Sequence, residues 1–297
     1  MILVTGASGQ LGDALSRRLT ARGVAFTAVQ RPGFDFEKPE TISDVFRKTS
    51  PTLVINAAAY TAVDKAETDQ EAAKAGNHTG PLELAKLCEA ACIPFIHVST
   101  DYVFNGNKGE PYLETDPTSP TGVYGATKRD GEEAILATGA QAIILRTAWV
   151  YSAHGKNFAR TMINAGRKMP ILRVVADQRG TPTAAGDLAD AILTIMDRLA
   201  ETGWRPEYRG IFHATGSGET TWYGFASAIF EDAKTHGYTA PEVQPIATAD
   251  WPTPTRRPPD SRLHGGKLAE IFGTSLPHWR DTLPSVVADL LNPDGQG

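Results

Sequence analysis

The chain has 297 residues and a formal charge of -5, with 41% hydrophobic and 21% charged residues, the balance of an ordinary globular protein rather than a disordered one. No basic block or tail offsets that charge, which argues against nucleic-acid binding and leaves any anionic ligand to local groups. No run approaches the roughly twenty apolar residues that cross a bilayer, and Met1 leads into "ILV" and a glycine turn without the pattern of a secretory signal, so no membrane contact and a cytoplasmic location are expected.

In chain order, "MILV", "VAFTAV", "TLVINAAA", "IPFIHVST" and "AQAIILRTAWV" read as strands, and helices are expected at about 10–22, 40–49, 65–75, 80–92 and 121–138. Alternation of this kind returns the chain to one end of a parallel sheet each time, which predicts an α/β fold with a doubly wound parallel sheet over residues 1–150, a dinucleotide-binding Rossmann domain. Past residue 151 the alternation loosens, with helices expected at 184–200, 221–235 and 277–290 and a strand at 210–214. "TADWPTPTRRPPD" (248–260) is too rich in proline for regular structure. Residues 151–297 are read mainly as a smaller, mixed α/β substrate-binding lobe, some of whose segments return to the first sheet. Cys88 and Cys92, one turn apart on a predicted helix, are read as reduced thiols, and the seven histidines show no metal-ligand spacing, so no catalytic metal is expected.

"VTGASGQLG" places Gly6, Gly9 and Gly12 between the first strand and the first helix. Glycines there allow a sharp turn and close approach to a pyrophosphate, while backbone N–H groups at the helix start point at the anion. The second strand ends in "AVQRPG", with Gln30 and Arg31 where an acid commonly grips the adenosine ribose. A guanidinium suits a 2′-phosphate, so NADPH is expected to serve at least as well as NADH. Asp35 and Phe36 are placed to cover the adenine, and the small residues Ala57, Ala58 and Ala59 let the backbone pass beneath the cofactor.

The strand "IPFIHVST" delivers Thr100 to the sheet edge where ligands bind in such folds, and "YGATK" puts Tyr124 and Lys128 one helical turn apart. A carbonyl reduced by hydride gains negative charge on oxygen and needs a proton donor. Tyr124 is that donor, Lys128 the cation that tunes it and holds the nicotinamide ribose, and Thr100 a second donor to the carbonyl oxygen.

With these residues in place, "GASGQLG", "NAAAYTAVDKAE", "VSTDYVFNG", "YGATKRDGE", "LRTAWVY", "DQRGTPT" and "RRPPDSRL" resemble the extended short-chain dehydrogenase/reductase family over essentially the whole chain, and within it the reductases that act on dTDP-4-dehydrorhamnose. The resemblance implies reduction of the 4-keto group of dTDP-4-dehydro-β-L-rhamnose by NAD(P)H to dTDP-β-L-rhamnose, the last step towards a precursor of surface polysaccharides. It further implies that Gly9, Gln10 and Leu11 line the pyrophosphate turn, that Asp35 and Phe36 meet the adenosine, and that Ala59, Tyr60 and Thr61 lie under the nicotinamide half. For the sugar it implies Thr61, Val63, Asp101, Tyr102 and Trp149, the last offering an apolar face to a pyranose. Arg256 and Arg257 are candidates for the diphosphate, with Arg257 the stronger, although a structural part in the proline loop fits them equally.

Some members of the family form a dimer around magnesium held by glutamates, but Ala14 stands at one such position here, so that dimer is doubtful and the oligomeric state is left open. A nucleotide-sugar dehydratase would carry an Asp–Glu pair where Asp101 is followed by Tyr102. A talose-forming 4-ketoreductase, an epimerase and a non-catalytic regulatory subunit remain the competing readings.

Overall fold

Short β-branched runs, each followed by a helix with one apolar stripe, build the first half of the protein, whose computed structural model describes residues 1–292. β1 (Ile2–Thr5) passes through the glycine turn into α1 (Gln10–Ala21), followed by β2 (Phe26–Val29), α2 (Pro39–Thr49) and β3 (Leu53–Asn56). Next come α3 (Val63–Ala66), α4 (Gln70–Lys74), a π-helical turn at Ala75–Thr79 and α5 (Gly80–Ala90). β4 (Phe95–Thr100), α6 (Val123–Ala137) and β5 (Ala142–Thr147) complete the alternation.

The second half contains β6 (Val150–Tyr151), α7 (Phe158–Gly166), β7 (Ile171–Val175), β8 (Arg179–Gly180), β9 (Thr183–Ala184) and α8 (Ala185–Thr202). β10 (Gly210–His213), β11 (Thr220–Thr221), α9 (Trp222–Thr235), β12 (Glu242–Ile246), α10 (Gly266–Phe272) and α11 (Trp279–Leu291) follow.

Six strands form the main sheet in the order β10-β5-β4-β3-β1-β2, every pair parallel. Strand side chains alternate between two cores. Val4 and Ile55 face Leu15, Leu19, Leu188 and Ile192 of α1 and α8, while Leu3 and Val54 face Ile42, Leu84 and Cys88 of α2 and α5. Thus α8, β10 and the Leu268 face of α10 lie with the first sheet, although they come late in the chain. Ala14 is buried in the same core. A separate core gathers Tyr151, Ile163, Phe225, Ile229, Trp279 and Leu283 from α7, α9 and α11 beside the parallel pair β7–β12.

Three local readings change. The expected helix at 65–75 is two short helices and a π turn, because the Asn77 side chain is drawn to the backbone of Tyr60, accepting from its N–H at 2.9 Å and donating to its carbonyl at 3.1 Å. Cys92 is not on a helix: α5 ends at Ala90, and Cys92 takes φ 53° as Ile93 N–H closes onto the Cys88 carbonyl at 3.0 Å. Cys88 is buried, Cys92 exposed, and both are free thiols. α7 was unforeseen; its first turn is capped by Asn157, whose side chain accepts from Arg160 N–H at 3.0 Å.

Candidate active site

The glycine turn builds one side of the site. Gly6 has φ 73°, and a Cβ on it would lie 2.7 Å from the Ala57 backbone, so only glycine lets the ends of β1 and β3 meet here. A Cβ on Gly12 would strike the Gly6 carbonyl, which ties the first turn of α1 to the loop. Above this contact opens a cleft of about 240 Å³ lined by Gly6, Gly9, Arg31, Asp35, Phe36, Ala57, Ala58, Ala59, Tyr60 and Thr61, among others. Its floor is bare backbone at the carboxyl ends of three parallel strands and the start of a helix, which fits a dinucleotide.

The side chains of several residues expected around the cofactor also make other contacts. Leu11 is buried in the core, and Gln10 spans to the second lobe, its amide donating to the Val150 carbonyl at 3.3 Å and accepting from Ser152 at 2.9 Å. Both open α1 by backbone, while the Leu11 side chain packs in the core and the Gln10 side chain hydrogen-bonds across to β6 and Ser152. Phe36 is buried against Gly80 and meets Phe34 edge-on, with ring centroids 5.2 Å apart. Arg31 is exposed at the cleft mouth, 3.9 Å from Glu37.

The chemical residues converge on a second cluster next to this cleft. β4 ends at Thr100, and the 3₁₀ turn Asp101–Val103 follows, with Tyr102 N–H donating to the Thr100 hydroxyl at 3.2 Å. Tyr124 opens α6, packed with Tyr60, Val63, Tyr102 and Val123. The helix starts where it does because Glu67 accepts from the Val123 N–H at 3.0 Å, satisfying an otherwise orphaned donor. Tyr102 and Tyr124 meet edge-on, centroids 5.5 Å apart at 75°.

Burial pushes the Tyr124 phenol above its ordinary range, opposed by a hydrogen bond with Thr100 and reinforced by Asp101. Asp101 is buried and accepts from Thr100 at 3.0 Å; among the described residues its Oδ2 has no hydrogen-bond partner, and burial lifts its carboxyl to about 6. Lys128 is buried and turned to the sheet, its Nζ donating to the Val98 carbonyl at 2.6 Å and lying 3.2 Å from His97 Nε2. Burial draws its pKa down to about 8 against the pull of Glu132. The groups that shift Tyr124 are Thr100, Asp101 and Tyr102, with burial the largest cause, so the tuning of the phenol here runs through β4 and its turn.

Arg257 reaches this cluster from the proline-rich segment, donating to the Tyr102 hydroxyl at 3.0 Å and pairing with Asp64 at 2.6 Å. Arg256 is exposed, and its carbonyl accepts from Thr121 at 2.9 Å. Trp149 stacks on Trp222 with ring centroids 3.5 Å apart and packs over Gly180. Its φ of 48° is unusual for a bulky side chain, a strain characteristic of ligand-facing positions.

Several partners escaped the sequence reading. Glu132 lies one further turn along the Tyr124–Lys128 face and pairs with Arg146 at 2.6 Å, both buried; the spacing alone would have placed it there. His97 stands inside an apolar strand, a signal that could have drawn attention. Trp222, joined to Gln178 of the "DQRGTPT" motif at 3.2 Å, carried no local sign. Among the described residues, no group of three or more His, Cys, Asp or Glu is placed to hold a metal, and no helix is long and apolar enough to cross a membrane.

The family described as RmlD substrate binding domain matches residues 1–292. A dTDP-4-dehydrorhamnose reductase of Burkholderia thailandensis is 42% identical over 299 residues, covering 98% of this chain and 99% of its own. The crystal structure of a dTDP-4-dehydrorhamnose reductase from Clostridium acetobutylicum superposes with a TM-score of 0.89 at 36% identity, covering 98% of this chain and 99% of that one. The Bacillus anthracis dTDP-4-dehydrorhamnose reductase, solved in complex with NADP, gives a TM-score of 0.87 at 29% identity, covering 97% and 98%. This full-length agreement, with the glycine cleft and the Thr100–Tyr124 cluster side by side, establishes that the chain belongs to the RmlD substrate binding domain family, among the dTDP-4-dehydrorhamnose reductases.

Proposed function

We propose that the protein reduces the 4-keto group of dTDP-4-dehydro-β-L-rhamnose with NADPH, giving dTDP-β-L-rhamnose. The observation that carries this reading is a buried phenol at the start of α6, next to Thr100 at the strand edge and beside a dinucleotide cleft, in a chain whose residues 1–292 match the family.

When bound, the cofactor supplies the hydride. Gly6 and Gly9 offer backbone to its pyrophosphate, Arg31 stands at the cleft mouth for a 2′-phosphate, and Ala58, Ala59 and Tyr60 form the wall beyond. Tyr124 does the acid chemistry. Because burial holds the phenol above its ordinary range, it stays protonated at neutral pH and gives up its proton only as charge grows on the carbonyl oxygen. Thr100 shares that oxygen, and Lys128 is the cation below. Val63, Tyr102 and Asp101 border the sugar; Trp149, stacked on Trp222, stands beside it; Arg257 holds Tyr102 in position. Tyr102 after Asp101 leaves no second carboxylate for eliminating water, which favours reduction over dehydration.

Incubation with the 4-keto sugar nucleotide and NADPH, with the product identified by NMR, tests the proposal. A rhamnose product with stoichiometric NADPH consumption is expected; a 6-deoxytalose product would change the assignment of the reduced face, and no consumption would discard reduction.

A further inference from the structure

A buried polar chain runs beneath the active site from β1 to α6. The Ala58 N–H, an obligatory donor, meets the side-chain carbonyl of Asn56 at 3.2 Å, and the Thr5 hydroxyl meets the same oxygen at 2.5 Å. The amide nitrogen of Asn56 therefore faces His97 Nδ1, at 2.8 Å, and an amide N–H can only donate. Nδ1 is then unprotonated, and the single proton of a neutral imidazole sits on Nε2, pointing at Lys128 Nζ 3.2 Å away. An ammonium has three donors and no lone pair, so it cannot accept that N–H. A neutral amine can, while its own hydrogen still reaches the Val98 carbonyl at 2.6 Å. The Ala58 N–H also lies 3.4 Å from the Thr5 hydroxyl, a longer contact than that to Asn56. With Asn56 in this orientation and Thr5, Asn56 and His97 all fully buried, the neutral amine pairs every donor, while the ammonium would leave the His97 N–H facing another donor.

We infer that His97 is a positioning residue: held as the Nε2–H tautomer by Asn56, it stabilises the neutral amine of Lys128 and so sets the pH at which that lysine loses its proton. The inference deepens the reductase reading and rests on it through the part of Lys128 in turnover. The surrounding charges agree. Glu132 of α6 is the acid that bears on Lys128, and it is committed to Arg146 of β5 and Ser99 of β4. Tyr124 lies one turn back, and Asp101 bears on Tyr124. Burial, then Lys128, hold the imidazole well below its usual protonation range, so it remains neutral across the working pH.

Lys128 serves as a cation, so activity falls as pH rises through its pKa. Removing the His97 donor destabilises the neutral amine and moves that alkaline limb upward. The test compares kcat/KM from about pH 6 to about pH 10 for the unaltered protein, His97→Gln, which keeps an N–H near the Nε2 position, and His97→Asn, which reaches Asn56 but falls short of Lys128. The limb is expected to rise by about half a pH unit or more in His97→Asn and to stay in place in His97→Gln. Independently, long-range ¹H–¹⁵N NMR of histidine-labelled protein, assigned by the signal lost in His97→Gln, should show the Nε2–H tautomer. An Nδ1–H or doubly protonated ring, or a limb that does not move in folded His97→Asn, overturns the inference. Absence of turnover in the unaltered protein sinks the reductase reading instead, and the NMR signature alone then judges the tautomer.

Discussion

Arg257 and Tyr102 meet side chain to side chain, the guanidinium donating to the phenol oxygen at 3.0 Å while its second arm holds Asp64 at 2.6 Å. The contact links the proline-rich segment to the loop that presents Thr100, and Tyr102 in turn packs edge-on against Tyr124. Arg257→Ala should free Tyr102 and raise KM for the nucleotide sugar about tenfold, roughly 1.4 kcal/mol, with NADPH affinity unchanged. Arg257→Lys should fall between, since it keeps the charge without the planar fork. A lower Tm with unaltered KM would show that the arginine only pins the loop.

Tyr124→Phe removes the acid and little else, because the ring keeps its packing with Tyr60, Val63 and Tyr102. Turnover should fall by about 10²–10⁴-fold, while fluorescence titration gives the same NADPH affinity. Retention of more than a tenth of the activity would assign the proton to another group.

Asp101 makes stability depend on pH. Burial raises its folded pKa to about 6 from 3.8, so the folded state binds the proton more tightly than the unfolded chain. The associated stability is fully present below the unfolded value and is lost as pH rises through about 6. Asp101→Asn stays neutral throughout and should therefore match the parent protein near pH 4 and exceed it near pH 7, by up to about 3 kcal/mol. Thermal melts across that window check the sign, and a constant Tm difference would exclude the carboxyl as its source.

Arg31 sits exposed, 3.9 Å from Glu37. Arg31→Asp should lower kcat/KM for NADPH by about tenfold or more while leaving NADH within about twofold, since a charge-assisted contact to phosphate is lost from one cofactor only. Equal losses with both cofactors would place the arginine outside the 2′-phosphate site.

The pair Glu132–Arg146 is buried on both sides, at 1% and 2% exposure. Arg146→Met strands a buried carboxylate and should cost about 3–5 kcal/mol of unfolding free energy. Adding Glu132→Leu should recover part of that loss. Denaturant unfolding of the single and double variants decides whether the pair or its packing matters more.

Much of the molecule is legible in local chemistry. The apolar runs ending in Thr5, Asn56 and Thr100, each followed by helical periodicity, point to parallel strands with a ligand edge, because a helical crossover returns the chain to the same end of the sheet. The same order puts Gly6 and Tyr124 at that edge, and helical spacing puts Tyr124, Lys128 and, unnoticed, Glu132 on one buried face. What local chemistry cannot reveal is how distant segments divide a shared volume. The extension of the first sheet by β10, the closure of Arg257 onto Tyr102, and the stacking of Trp222 under Trp149 join residues far apart in the chain. Lys128 shows the limit most clearly: spacing aims it along the helix at Tyr124, but the direction its ammonium takes depends on which acceptors the sheet brings within reach. In the fold the Val98 carbonyl draws it towards the sheet, where Nζ comes to lie 3.2 Å from His97 Nε2.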